Sequence, residues 1–239
     1  MKRILLMNTA VLILTTAVCM KSYSYSLDAF NGMIGRGVIS IQPELSYPIY
    51  PQSSFFIDPI GAYGFTDHFD VFADLAEINL YPVSGYNNSW VMPRFEFLSG
   101  NIAALQIGFN NTQPFSYDIS PQYHYFYEND SLAFEFNALA TIPVNYPGSS
   151  NAVSAIIAPV WKCIKNIIHP FVEIDPTYAF DGSCSGLHLN IVPGIWFGIP
   201  DTPHQFCLAL TLSDVTRNIG YGVNFSYSVA IPTIPDTNK

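Results

Sequence analysis

Charge is what this sequence has least of. Only 11% of its 239 residues are Asp, Glu, Lys or Arg, against about 25% in an ordinary globular chain. Basic residues are scarcer still: 9 Lys and Arg stand against 18 Asp and Glu, a formal net charge of −9. No nucleic-acid partner is expected, because that role needs a basic surface. Cysteine is sparse too. Apart from Cys19 near the N-terminus there are Cys163, Cys184 and Cys207, and an odd count in an exported chain is not a disulfide scaffold. After the N-terminus no apolar run approaches the ~18 residues that a membrane helix needs. A helical period is also missing. What is there is 49% hydrophobic and 15% aromatic sequence, spread by alternation. A transmembrane β-barrel has this profile, with much lipid-facing apolar area and no hydropathy peak.

The N-terminus reads as an address. Met1-Lys2-Arg3 is a basic start, and Ile4 to Val18 is mostly apolar but too short to span easily. Residues 1–26 are expected to be a signal peptide cleaved between Ser22 and Ser26. Lipidation at Cys19 is the alternative, opposed by the bulk of Val18. Cleavage at Ser26 removes Lys2, Arg3 and Lys21, leaving 9 − 3 = 6 basic residues against 18 acidic. The expected organisation is a barrel over 27–231 and a short polar tail over 232–239.

One unit recurs along the chain: a hydrophobic residue, any residue, then Pro, shortly before a polar turn. Ile57-Asp58-Pro59 precedes Thr66-Asp67-His68. Val91-Met92-Pro93 precedes Ser99-Gly100-Asn101, and Ile119-Ser120-Pro121 precedes Glu128-Asn129-Asp130. Ile157-Ala158-Pro159 precedes Lys165-Asn166, and Ile191-Val192-Pro193 precedes Pro200-Asp201-Thr202. Five hairpins with one grammar imply a sheet built by repetition. Alternation places twelve strands at Arg36–Tyr47, Ser54–Phe65, Phe69–Leu80, Trp90–Leu98, Ile102–Asn110, Tyr117–Tyr127, Leu132–Ile142, Val153–Ile164, Ile168–Phe180, Leu187–Ile199, Gln205–Leu212 and Asn218–Ile231. The count is even. Turns after even-numbered strands are short, while Pro82–Ser89 and Asn145–Ala152 are longer. The expected fold is all-β: a closed antiparallel up-and-down transmembrane barrel. A secreted β-sandwich also alternates, but its outward face should be charged, and here that face is aromatic and aliphatic.

The run Pro59-Ile-Gly-Ala-Tyr63-Gly64-Phe-Thr66-Asp67-His-Phe-Asp70 resembles the P-x-x-x-Y-G-x-T-D-x-x-[DE] hairpin of small bacterial outer-membrane barrels. Among such families it resembles the phenol-degradation (MetA-pathway) barrels. The resemblance implies a transporter-like outer-membrane protein of a Gram-negative bacterium, whose partners are the lipid bilayer, the barrel-assembly machinery and small solutes. Such barrels usually end on an aromatic; here Pro232–Lys239 follow the last strand.

The same parity sorts the side chains. Gln42, Glu44, Asp58, Arg94, Glu96, Asp118, Gln122, His124, Glu135, Asn137, Lys162, His169, Glu173, Asp175, His188, Asn190 and Asn224 are expected to line the lumen. Arg94 is expected to pair with Glu96, Asp58 or Glu135. Tyr47, Tyr81, Trp90, Tyr127, Trp161 and Tyr178 suit interfacial girdles. Pro43, Pro59, Pro93, Pro121, Pro159, Pro176 and Pro193 fall inside strands on the lipid-facing parity, where an unpaired carbonyl costs several kcal/mol; bulges or interfacial positions should absorb them. His124, His169 and His188 beside carboxylates lack the spacing of a metal site. Gly182-Ser183-Cys184-Ser185-Gly186 has the outline of a nucleophile elbow but no following helix. No Ser and His fall together on the lipid-facing wall for a barrel lipase. The chain is therefore expected to be no enzyme and to hold no metal or cofactor. The acidic lumen suggests passive passage of small hydrophilic solutes with mild cation preference. A structural or adhesive barrel with a plugged lumen is the alternative.

Overall fold

The computed structural model describes residues 32–51, 53–82, 84–86, 88–110, 115–145, 150–164, 167–180, 185–200, 202–217 and 219–233. The signal peptide, the elbow-like run around Cys184 and most of the C-terminal tail lie outside them. Every described element is a strand: β1 (Val38–Tyr50), β2 (Phe55–Thr66), β3 (Phe69–Asp74), β4 (Ile78–Tyr81), β5 (Gly85–Tyr86), β6 (Asn88–Leu98), β7 (Asn101–Asn110), β8 (Ser116–Glu128), β9 (Leu132–Val144), β10 (Ala152–Trp161), β11 (Ile168–Ala179), β12 (Gly186–Gly198), β13 (His204–Ser213) and β14 (Gly220–Pro232). Twelve of them close a ring. Each pairs antiparallel with its neighbour, and β1 joins both β2 and β14. This is the closed transmembrane barrel that the alternation implied.

The third sequence strand, Phe69–Leu80, is two. β3 pairs with β2 up to Ile60↔Asp74, and β4 resumes at Ile57↔Ile78 with a one-residue slip. The loop after it is not irregular throughout, because β5 pairs with β4. Together β4 and β5 prolong the wall beyond the ring at the loop end.

Period two governs every wall strand. In β1, Val38 and Glu44 are buried while Ile39, Ile41 and Tyr47 are exposed; in β8, Ser120, Gln122 and His124 are buried while Pro121, Tyr123 and Tyr127 are exposed. The exposed face carries Phe95, Phe97, Leu105, Val153, Ile174, Leu208 and Phe225. So much solvent-accessible apolar surface suits hydrocarbon and not water.

The in-strand prolines follow one rule. Each is paired without interruption on one side and faces a gap in the ladder on the other. Pro93 pairs with Val71, but the β6–β7 ladder stops at Val91↔Ile107 and resumes at Arg94↔Ala104. Pro121 pairs with Leu105, and β8–β9 skips from Ile119↔Ile142 to Gln122↔Leu139. Pro159, Pro176 and Pro193 do the same towards β11, β10 and β13. Pro43 faces the gap between Ile41↔Val229 and Glu44↔Ser226. Pro59 lies opposite the break between β3 and β4. A missing N–H thus removes pairing on one side only. Bulges are not the general device that the sequence suggested: apart from Pro59, the strands part and rejoin in the same register.

Candidate functional site: the barrel lumen

The lumen is divided by height. Its short-turn half is packed solid, and its loop half holds a cavity.

Two apolar clusters fill the short-turn half. One is Ala133, Val160, Phe171, Val192, Trp196, Cys207 and Ala209, with Phe126 against it. The other is Ile34, Val38, Ala62, Phe72, Met92, Ala104 and Ala230. Trp196, Phe171, Met92, Ile102 and Val160 are almost wholly buried. Gly194 leaves the hole that the Phe171 ring fills, since a Cβ there would lie 2.3 Å from its Cζ. Trp90 belongs here as well. It shares the parity of Met92 and Arg94 and packs against the second cluster, so its assignment to an interfacial girdle is corrected.

The inner wall also carries buried polar side chains. Arg94 and Asp70 are both fully buried. The guanidinium donates from Nε to Asp70 Oδ1 at 2.8 Å and from Nη2 to Oδ2 at 2.7 Å. Asp70 was absent from the expected partners, although it occupies the inward parity of Phe69–Asp74 beside Phe72. The Phe72 ring lies 4.2 Å beneath Arg94 Cζ. Gln122 donates to Gln106 Oε1 at 2.9 Å, and His124 Nε2 lies 2.8 Å from Gln122 Oε1. Glu135, Asn137, His169, Glu173 and Asp175 are buried nearby on β9 and β11.

A strap is bound at the short-turn end of this half. Residues 32–37 run across the foot of the β2–β3 hairpin. Ile34 N–H donates to Asp70 Oδ2 at 3.1 Å, and the Gly32 carbonyl accepts from Arg94 Nη2 at 3.1 Å. Gly37 N–H donates to the Gly64 carbonyl at 2.7 Å. Only glycine fits at 64, because a Cβ would lie 1.8 Å from the Gly35 carbonyl oxygen.

Two expected lumenal residues sit at the short-turn rim instead. Glu96 accepts from Gly100 N–H at 2.8 Å and lies 3.0 Å from His68 Nδ1. Lys162 follows the end of β10 and donates to Glu128 and to the Asn129 carbonyl, tying neighbouring turns together. Glu96 is two residues from the end of β6 and Lys162 one residue beyond the end of β10, so their inward parity does not carry them into the lumen.

The loop half contains a cavity of about 350 Å³, whose lining includes Glu44, Asp58, Glu77, Ser46, Thr211 and Asn224. Tyr50 and Tyr221 stand at its rim, stacked at 5.8 Å. Three carboxylates thus share one small space. Asn224 donates to Thr211 Oγ1 at 2.6 Å on its wall. Gln42 and Asp118 are half-buried on β1 and β8. His188 lies higher, 3.3 Å from Asp214, and Asn190 accepts from Asp214 N–H. On the outer face Tyr47, Tyr81 and Tyr178 are exposed at the loop end and Tyr127 and Trp161 at the short-turn end.

No protein-family model matches this chain, and no curated protein matches it. Solved structures do. The COG4313 outer membrane channel from Pseudomonas putida F1 is similar with a TM-score of 0.51 at 9% identity, over 89% of this chain and 100% of that one. OmpTΔL8, a loop L8 deletion mutant of OmpT, an outer membrane protein of Vibrio cholerae, gives 0.40 at 8% identity over 81% of this chain and 97% of that one. The second likeness is too slight to argue from. The first shows the fold: this chain is a twelve-stranded barrel of the kind found in a bacterial outer-membrane channel.

Proposed function

We propose that this protein is a bacterial outer-membrane channel that passes small hydrophilic solutes passively, with a mild preference for cations. One observation carries the reading: Glu44, Asp58 and Glu77 converge on a single cavity at the loop end of the lumen. A concave site of one charge sign, walled by low-dielectric protein, focuses field lines and concentrates counter-ions. Long-range screening does little across so short a distance, since the Debye length is about 8 Å at physiological salt. The packed half below the cavity then sets how much passes, and the strap sets whether the foot of the barrel is open.

The same packed half favours a second reading, a structural or adhesive barrel whose lumen never opens. Its weight rests on Trp196, Phe171 and Met92, side chains almost wholly buried in the packed half. Planar-bilayer recording of the purified, folded barrel in a potassium chloride gradient separates the two. A reversal potential of the cation-selective sign supports the channel. A folded barrel that never conducts, even after Gly64→Ala has dislodged the strap, leaves the structural reading standing.

A further inference from the structure

We propose that the passage narrows to an uncharged hydrogen-bonding filter on the inner wall of β12–β14, formed by Trp196, Gln205 and Ser226, and that it selects small neutral solutes that both donate and accept hydrogen bonds, such as polyols and amides. This rests on the channel reading and names the place and the chemistry of its selection.

The three side chains form one patch. Trp196 is in register with Cys207, and Cys207 with Ser226. Gln205 lies two residues before Cys207 on the same face and pairs with Ser228. Their exposures are 0%, 2% and 0% for Trp196, Gln205 and Ser226. Yet the indole Nε1, both amide atoms of Gln205 and the Ser226 hydroxyl have no hydrogen-bond partner among the described residues. Arg94, by contrast, is held by Asp70, and Gln122 by Gln106. Buried polar groups in folded proteins are satisfied by protein or by ordered water. Four unmet atoms in one place therefore mark where water stands at rest and where a solute takes its place in transit.

Position supports the same conclusion. Asn224 and Thr211 line the cavity. Ser226 follows Asn224 by two residues on β14, and Cys207 precedes Thr211 by four on β13, all with inward parity. The patch is thus the next step down from the cavity. It also falls at the seam of the two apolar clusters, with Trp196 and Cys207 in one and Val38 and Ala230 in the other. Its three side chains are uncharged; Glu44, in register with Ser226 on β1, and His169, in register with Trp196 on β11, are the adjacent titratable groups. A hydrated cation that crosses the patch finds no counter-charge on these three side chains, so they add nothing to ionic preference. A polyol or amide exchanges hydrogen bonds with water for bonds to an indole donor, a hydroxyl and an amide. Charge preference is then exercised at the cavity, and solute chemistry at the filter.

Swelling of proteoliposomes in isosmotic erythritol or urea tests this. Gln205→Leu with Ser226→Ala is expected to slow swelling about fivefold, the factor for roughly one lost hydrogen bond, with the reversal potential in potassium chloride unchanged. Variants that swell at the wild-type rate overturn the filter while leaving the channel intact. A wild-type barrel that neither swells nor conducts overturns both. Should the double variant fail the heat-modifiable gel shift, the native Cys207 is the second probe. In a Cys163→Ser, Cys184→Ser barrel, a small methanethiosulfonate reagent should label Cys207 and arrest swelling. Continued swelling with Cys207 unlabelled, or labelled without effect, overturns the assignment.

Discussion

Asp70 and Arg94 face each other in register across β3 and β6, joined by two hydrogen bonds in a place that no solvent reaches. Breaking such a pair from one side leaves a bare buried charge, at a cost of about 3–5 kcal/mol. Asp70→Ala and Arg94→Ala should each lower the temperature at which the folded barrel loses its fast gel mobility. Asp70→Leu combined with Arg94→Met removes both charges and should recover most of the loss. Single variants as heat-resistant as the wild type would show that the pair does not hold the barrel together.

The strap depends on the bare Cα of Gly64. Gly64→Ala places a methyl group where the Gly35 carbonyl oxygen now sits, 1.8 Å away. The expected result is a displaced strap, seen as new protease cleavage near residue 35 and a larger single-channel conductance. Unchanged cleavage and conductance would mean that the strap tolerates the methyl and does not close the foot of the lumen.

The cavity carboxylates should set ionic preference. Glu44→Gln, Asp58→Asn and Glu77→Gln together remove the negative charge that lines the cavity. The reversal potential should move towards zero while neutral solutes still swell the vesicles. A potential that stays put would assign selectivity to another part of the lumen.

The prolines can be tested one at a time. Pro121→Ala restores an N–H in the gap between Ile119↔Ile142 and Gln122↔Leu139. One added ladder bond is worth about 0.5–1.5 kcal/mol. The variant should resist heat and denaturant better than the wild type, with slower amide exchange at Ala140 and Thr141. Equal or lower resistance would show that the strands are held apart by something other than the missing donor.

Sidedness is open to direct labelling. With the short turns in the periplasm, a single cysteine introduced at Asn88 should react with an impermeant reagent on intact cells, and one at Asn129 should not. The reverse pattern would invert the barrel.

Much of this architecture can be read from the sequence, and the physical reason is the period of two. An inward residue in β8 is followed by an outward one without exception from Ser116 to His124, so hydropathy alone fixes the register to the membrane. Local regularity does not reveal what crosses the lumen. Arg94 could be placed inside by parity, but its partner is chosen by the pairing of β3 with β6, which no pattern within either strand encodes. Asp70 was nevertheless visible, since it shares the inward parity of Phe72 and Asp74, with Val71 and Ala73 turned outward. Trp90 was misread because an aromatic near a strand end suggests a girdle, although its parity with Met92 and Arg94 pointed inward. Glu96 and Lys162 have the inward parity yet lie at the rim, because sequence gives the face of a strand and not the depth. The splitting of Phe69–Leu80 was hidden in a one-residue slip at Leu75–Glu77, where apolar content stays high.

A proline-linked interruption falls inside every hairpin with a short turn, once in β2–β3, β6–β7, β8–β9 and β12–β13 and twice in β10–β11, and once more where β1 meets β14. The wall is thus laid in nearly identical tiles, each carrying its own seam inside and, where β1 meets β14 apart, offering an unbroken edge to its neighbour. Copying or deleting a tile would disturb no pairing but its own. Barrels of this pattern can widen or narrow by two strands at a time, so their bore descends through a lineage in discrete sizes, while the chemistry of each tile's inner face is free to change.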